Sequence, residues 1–301
     1  MKTIIITGAT DGIGKQTALN IASQNHHIII VGRNKNKCES VCYEISKNTN
    51  NDNIEFIVSD LSSISKVKAL SDNIKKKYSK LDVLINNVGA LFINREETEE
   101  GFEKTFALNH LSSFTLTVEL LDFLNAQNSA RIVNVASAAH FNVFDKSFNE
   151  KNNRSFIETK IFGTDFKITD LQATKKYKGT HQYSRTKLMN ILFTYKLVRD
   201  YLNGTNIIAN CLHPGFVASK FGHNNKGFFK TFLKFGQKLQ AISVMNGSKA
   251  STFAALSPSL DNVSGKYFDE DTSQIESSKL SYNKELQDNL WQKSEALISN
   301  Y

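Results

Sequence analysis

Short apolar runs alternate with longer amphipathic stretches along most of the chain. Ile4–Thr7, Ile28–Val31, Ile54–Val58, Val83–Asn86, Ile132–Val135 and Ile207–Asn210 are brief, apolar and mostly β-branched. That is the pattern of strands buried on both faces. Between them, Ile13–Ala22, Ile64–Lys76 and Phe102–Leu124 carry apolar residues at helical spacing. This alternation predicts an α/β fold, a doubly wound parallel sheet with helices on both faces. No repeat or linker divides residues 1–301, so a single domain is expected. Two segments break the rhythm. An insertion over 141–180 is polar and weakly periodic, and Phe221–Gln240 is rich in Phe, Lys and Gly. Both are candidate loops around a site.

Composition narrows the function classes. A chain of 301 residues with 40% hydrophobic content can bury a full core. The 37 basic residues against 29 acidic ones are dispersed, with only short clusters such as Lys75-Lys76-Lys77. A nucleic-acid-binding protein concentrates such charge in a patch or stripe, so no nucleic acid partner is expected. Cys38, Cys42 and Cys211 form no disulfide framework. Cys38 and Cys42 share a predicted helix, but no His/Cys pair completes a zinc site, and no metal is expected. Sparse cysteines suit a reducing, cytoplasmic setting. Thr3-Ile4-Ile5-Ile6 starts a strand directly after Met1-Lys2, which leaves no space for a signal peptide. No apolar run reaches transmembrane length.

The first strand runs into Thr7-Gly8-Ala9-Thr10-Asp11-Gly12-Ile13-Gly14 and then a helix. Glycines there let backbone approach a pyrophosphate, and the helix N-terminus offers amides and a positive dipole end. The strand before and the helix after make this a dinucleotide-binding signal. The Gly-x-x-x-Gly-x-Gly spacing resembles the short-chain dehydrogenase/reductase family, and further segments match in order. Asp60-Leu61 follows the third strand and Asn86-Asn87-Val88-Gly89 the fourth. His213-Pro214-Gly215 with Ser219 comes later. Asn109-His110-Leu111, Leu188–Thr194 and Gly265-Lys266-Tyr267-Phe268 resemble the retinol-dehydrogenase-like branch. The resemblance implies a Rossmann-like fold and a cofactor site of Gly8, Thr10, Gly12, Ile13, Gly14, Arg33, Asp60, Leu61, Asn87, Gly89, Tyr183, Lys187, Pro214, Gly215 and Ser219.

The second strand ends Val31-Gly32-Arg33-Asn34. An NAD site usually has an acid here to accept from the ribose hydroxyls. Arg33 instead offers a planar, permanently charged fork to a 2′-phosphate, so NADP(H) is the expected cofactor.

Tyr183-Ser184-Arg185-Thr186-Lys187 precedes the helical run Leu188–Leu202. Tyr183 and Lys187 are four apart and share a helix face. A tyrosine moves a proton near neutral pH only if a cation favours its phenolate, which Lys187 supplies. Alone the pattern is a common surface pair; after the cofactor loop it marks hydride chemistry on a carbonyl/alcohol pair. By resemblance, Ser137 hydrogen-bonds the substrate oxygen, and the main-chain carbonyl of Asn109 holds a water in a proton relay to Lys187. His140 and His181 sit at the ends of the insertion; either could touch substrate, and exposed loop histidines are the more common case. An NADP(H)-binding sensor without turnover is the alternative to an enzyme, and such proteins typically lose the tyrosine or lysine.

The branch resemblance implies a small apolar carbonyl or alcohol substrate, such as a retinoid, steroid or lipid aldehyde. The segment 220–245 is the candidate substrate lid. In it Phe228, Phe229, Phe232 and Phe235 fall near one helical face, with Lys226, Lys230 and Lys234 as a basic stripe. A packed core helix, a mobile lid and a membrane-surface helix all fit this pattern. Peripheral membrane contact follows from the last of these, and a homodimer from analogy with family members that pair through long helices.

Overall fold

The computed structural model describes residues 1–144, 162–215 and 244–301. The expected strands are present as β1 (Thr3–Thr7), β2 (His27–Gly32), β3 (Ile54–Val58), β4 (Val83–Asn86), β5 (Ala130–Val135) and β8 (Ile207–Leu212). Two short strands, β9 (Tyr267–Phe268) and β10 (Gln274–Ile275), extend the same sheet. The order is β10-β9-β8-β5-β4-β1-β2-β3. Every pairing is parallel except β9 with β10. The chain steps outward from β1 through β2 to β3, then returns to place β4 on the other side of β1. That reversal opens a crevice at the carboxyl ends of β1 and β4, where such sheets bind ligands.

The core explains why the strands read as continuous apolar runs. Ile5, Ile29, Leu84 and Ile132 face one layer of helices, while Ile4, Ile6, Ile28, Ile30, Val83, Ile85 and Val133 face the other. Neighbours on a strand point to opposite faces, so both positions must be apolar when both faces are covered. One layer holds α1 (Gly12–Ala22), α2 (Lys35–Thr49) and α7 (Val244–Leu256). The other holds α3 (Ile64–Lys77), α5 (Ser112–Asn125), α6 (Gly179–Lys196) and α8 (Lys284–Ile298). Cys38, Cys42 and Cys211 are buried free thiols within this packing.

Two helical readings change in detail. The stretch expected as one helix over Phe102–Leu124 is α4 (Lys104–Phe106), a π-turn over Ala107–Leu111 and α5. Glu103 starts it by accepting from the amides of Thr105 and Phe106, both at 2.8 Å. The helix expected from Leu188 starts earlier, at Gly179, so Tyr183 lies inside it. A Cβ at Gly179 would fall 2.1 Å from the carbonyl oxygen of Phe92, so only glycine lets the helix begin this close to that loop.

The insertion over 141–180 is partly ordered at its ends. β6 (Val143–Phe144) pairs with β7 (Thr164–Asp165) in a small parallel sheet. Residues 145–161 and 216–243, which include Ser219 and Phe221–Gln240, lie outside the described residues. Of the candidate lid 220–245, only the start of α7 is described. Among the described residues no helix is long and apolar enough to cross a membrane.

Candidate active site

The crevice is a cleft of about 530 Å³ at the carboxyl edge of the sheet. It is lined by Gly8, Thr10, Gly12, Ile13 and Gly14 from the first turn, Arg33 after β2, and Asp60 and Leu61 after β3. Asn87 and Gly89 after β4, with Tyr183, Lys187 and Pro214, complete it. Gly215 borders Pro214 with φ of 73°, a left-handed turn that favours glycine. Lys37 and Phe92 also line the cleft and were not singled out by the sequence.

The first turn is built for close approach. Gly8 has φ of 67° and Gly12 of 54°. A Cβ at Gly14 would lie 2.4 Å from Asn87 Nδ2 and 2.7 Å from the Gly8 carbonyl oxygen. Asn87 therefore holds the loop: its Nδ2 donates to the carbonyls of Thr7 at 2.8 Å and Gly8 at 3.3 Å. Asp11 caps α1, its carboxylate accepting from the Gly12 amide at 2.9 Å. The first-turn amides of α1 and its dipole face the cleft, a cradle for a phosphate group. Val88 fits beside this turn: a Cβ at Gly8 would meet its Cα at 2.9 Å, so the glycine absorbs the crowding.

Arg33 is exposed at the rim. Asp60 lies close enough for Arg33 to favour its ionised form. Burial opposes ionisation of Asp60, but bonds from the Ser62 amide at 3.0 Å and hydroxyl at 2.8 Å outweigh it and hold the carboxyl low. At the end of β2, Asn34 is occupied in capping α2, its Oδ1 accepting from the Lys37 amide at 3.0 Å.

At the other end of the cleft, Tyr183 and Lys187 stand on one face of α6, with Lys187 Nζ 5.7 Å from the Tyr183 ring centroid. Burial pushes the Tyr183 phenol up to about 12, partly opposed by the nearby Ser137 hydroxyl. Burial likewise lowers the Lys187 ammonium to about 8. A Cβ at Gly89 would come within 3.1 Å of Lys187 Nζ, so the glycine after β4 makes space for the lysine.

Asn109 lies on the π-turn, a local widening common at functional sites. Its side chain is fully engaged. Oδ1 accepts from the Ala90 amide at 2.8 Å, and Nδ2 donates to the Ala90 carbonyl at 2.9 Å and to Thr186 Oγ1 at 3.0 Å. Thr186 in turn donates to the Tyr183 carbonyl at 2.8 Å. The structure thus brings Asn109, Ser137, Tyr183 and Lys187 together. Ser137 is partly exposed directly after Val135 and Ala136 of the cleft lining, and Asn109 is fully buried.

Several supporting contacts, and the residues Glu103 and Asn134, carried no sequence signal. Buried Glu103 also accepts from Gln182 Nε2 at 2.9 Å and Tyr177 Oη at 3.2 Å, tying the end of the insertion to α6. Asn134 on β5 accepts from Asn86 and donates to Thr194 on α6, each at 2.8 Å. His213 accepts from the Gly215 amide at 3.1 Å through Nδ1 and donates from Nε2 to Asp269 at 2.8 Å, bracing the turn that presents Pro214. His140, expected as an exposed loop residue, is wholly buried, because the segment after β10 closes over it. His181 is half-buried, and burial with nearby Lys178 and Arg185 lowers it to about 4.

This arrangement matches known proteins. A family model described as short chain dehydrogenase matches residues 2–147. Human polyprenol dehydrogenase is 33% identical over 295 residues, covering 96% of this chain and 83% of its own. The chain belongs to the short-chain dehydrogenase/reductase family. Human retinol dehydrogenase 13 is 35% identical over 273 residues, 89% of this chain and 76% of that protein. Mouse retinol dehydrogenase 12 is 33% identical over 99% of this chain and 86% of its own. These relatives make it an oxidoreductase acting on alcohols, in the retinol-dehydrogenase-like branch, with a nicotinamide cofactor. An uncharacterized protein from Mycobacterium paratuberculosis has the same fold, with a TM-score of 0.73 at 25% identity over 99% of this chain and 94% of its own. So does a short-chain dehydrogenase from Sphingobium yanoikuyae, solved in complex with NADPH, with a TM-score of 0.60 at 18% identity over 83% of this chain and 82% of its own.

Proposed function

We propose that the chain interconverts a carbonyl and an alcohol on a small apolar substrate with NADP(H), through Ser137, Tyr183 and Lys187. One observation carries this reading: Tyr183 and the Lys187 ammonium, with the Ser137 hydroxyl near the phenol, meet at the end of a cleft whose other end is a glycine cradle. Gly8, Gly12, Ile13 and Gly14 would hold the pyrophosphate, Asp60 and Leu61 the adenine side, and Lys187 the nicotinamide ribose. Asn87, Gly89, Pro214 and Gly215 would serve the nicotinamide end; Ser219, assigned there by resemblance, lies outside the described residues. When bound, the cofactor supplies or accepts the hydride.

The protein's own groups handle the proton. Tyr183 donates it to the carbonyl oxygen in reduction and takes it from the hydroxyl in oxidation, while Ser137 hydrogen-bonds that oxygen. With the phenol near 12, its proton is in place at neutral pH, as reduction requires. With Lys187 near 8, the ammonium is mostly charged there and stabilises the phenolate left behind. Asn109 holds Ala90 and Thr186, and its main-chain carbonyl is the seat of the relay water. Reduction is the favoured direction, since cells usually keep NADP pools reduced.

Arg33 supports NADP(H): it is an exposed guanidinium lining the cleft at the end of β2, where an NAD site would have an acid. The names of the relatives, polyprenol and retinol dehydrogenases, support a retinoid or other lipid-like substrate. Such a substrate partitions into membranes, and the Phe and Lys stripes of Phe221–Gln240 suit both a lid and peripheral membrane contact. A homodimer through the long helices, the arrangement of other family members, would use faces of α5 and α6 that α8 leaves uncovered. NADPH oxidation across a panel of aldehydes and ketones of graded size and polarity tests the reading. Turnover confined to small polar carbonyls, or equal use of NADH, would overturn it.

A further inference from the structure

We propose that His140 is the positioning residue for Ser137, acting as a neutral imidazole with its proton on Nδ1. The inference rests on the reading of Ser137 as the group that hydrogen-bonds the substrate oxygen. His140 Nδ1 lies 2.7 Å from the Ser137 carbonyl oxygen, and the Ser278 amide donates to His140 Nε2 at 3.1 Å. A carbonyl oxygen only accepts and an amide N–H only donates. Nδ1 therefore carries the hydrogen and Nε2 presents its lone pair. The ring is wholly buried, with the Phe141 ring centroid at 3.9 Å and that of Tyr267 at 5.0 Å, so neither nitrogen exchanges its partner for water.

The Ser137 carbonyl receives a second bond, from the His140 amide at 3.1 Å. Two N–H groups of one residue thus fix the peptide that follows Ser137. The Ser137 backbone is extended, with φ of −165° and ψ of 151°, and its Oγ accepts from the Ala139 amide at 3.2 Å. Its hydroxyl proton is thereby turned away from the following turn and left for an oxygen acceptor. The clamp is anchored far along the chain: Ser277, next to Ser278, is bonded to Tyr195 on α6 at 2.7 Å. The imidazole links the end of β5, the helix that carries Tyr183, and the segment after β10.

Two substitutions separate the two ring nitrogens. His140→Asn keeps an N–H near the Nδ1 position, and His140→Gln keeps an acceptor near Nε2 and loses the donor to Ser137. His140→Gln is expected to lower kcat by on the order of 10-fold or more, the scale of a sub-ångström misplacement, with NADPH affinity unchanged. His140→Asn is expected to recover most of that loss. In a Ser137→Ala background, His140→Gln is expected to add no further loss, because the two act as one unit. Equal losses in both His140 variants, or losses that multiply with Ser137→Ala, would overturn the proposal. Full activity of Ser137→Ala would instead overturn the reading of Ser137 itself. Ring-nitrogen NMR of the unsubstituted protein tests the tautomer without any variant. Protonated Nδ1 and unprotonated Nε2 at pH 7 are expected, and an imidazolium or an Nε2–H ring would overturn the clamp.

Discussion

Lys187 Nζ donates a 2.9 Å hydrogen bond to the carbonyl oxygen of Val135, joining α6 to the end of β5 two residues before Ser137. The ammonium is held in a buried place, and that burial lowers it from 10.5 to about 8. Its charge is complete below about 8 and is lost as pH rises through that value. The reductive kcat/KM should therefore fall above about pH 8. Tyr183, near 12, is not the group responsible for that limb. Lys187→Arg, whose charge persists, should flatten it even if the rate is lower. A native profile that stays level to pH 10 would refute the role given to Lys187.

Tyr183→Phe should remove turnover and leave NADPH affinity nearly intact. Loss of a proton donor typically costs roughly 10²–10⁴-fold in rate. The ring still packs on α6 beside Lys187, so the cleft keeps its wall. Steady-state kinetics with fluorescence titration of NADPH separates the two effects, and near-normal turnover would show that another group moves the proton.

Cofactor choice should follow Arg33. NADPH should bind more tightly than NADH by roughly 1.5–3 kcal/mol, the scale of a hydrogen bond to a charged group. Because Arg33 is exposed, the lower part of that range is expected. Arg33→Ala should remove most of the difference and Arg33→Asp should reverse it. Equal binding of both cofactors by the native protein is the contrary result.

Acid should destabilise the fold through His110. The ring is wholly buried between Phe106 and Phe114, bonded to Ser294 at 2.9 Å, and burial lowers it to about 3. An unfolded histidine titrates near 6.5, so the unfolded chain alone takes the proton between about 6.5 and 3. Stability is intact above 6.5 and declines as pH falls across that window. His181, lowered to about 4, adds to the decline. His110→Gln should lose less Tm between pH 7 and pH 4.5 than the native protein; an equal loss would assign the acid sensitivity elsewhere.

Trp291→Ala should destabilise the protein by ~3–5 kcal/mol, the usual cost of emptying a buried aromatic site. Trp291 on α8 packs against Phe114 at 5.0 Å, Phe193 at 5.8 Å and Tyr201 at 4.2 Å. These contacts cover α5 and α6, so the variant should also show more apolar dye binding near its Tm. Denaturant unfolding measures the first effect. A midpoint unchanged from the native protein would mean that α8 is not part of the cooperative core.

The sequence by itself determined six of the eight strands of the main sheet, most of the helices and the two ends of the cleft. Isoleucine-rich runs such as Ile4–Thr7 and Ile28–Val31 reveal strands because burial on both faces makes every position apolar. Gly8, Gly12 and Gly14 are legible because a tight turn against a ligand excludes side chains, and Tyr183 with Lys187 because a helix face repeats every four residues. Each of these signals is local. Tertiary structure alone decided what holds the site in place. His140 to Ser278, Glu103 to Gln182 and Asn134 to Thr194 join residues distant in the chain. A buried polar group is satisfied by whichever partner packing brings to it, and no spacing in the sequence encodes that partner. The same holds for β9 and β10, whose two-residue strands are too short to carry a period. It holds for α8 as well, whose buried Trp291 finds its aromatic partners Phe114 and Phe193 only in the folded chain.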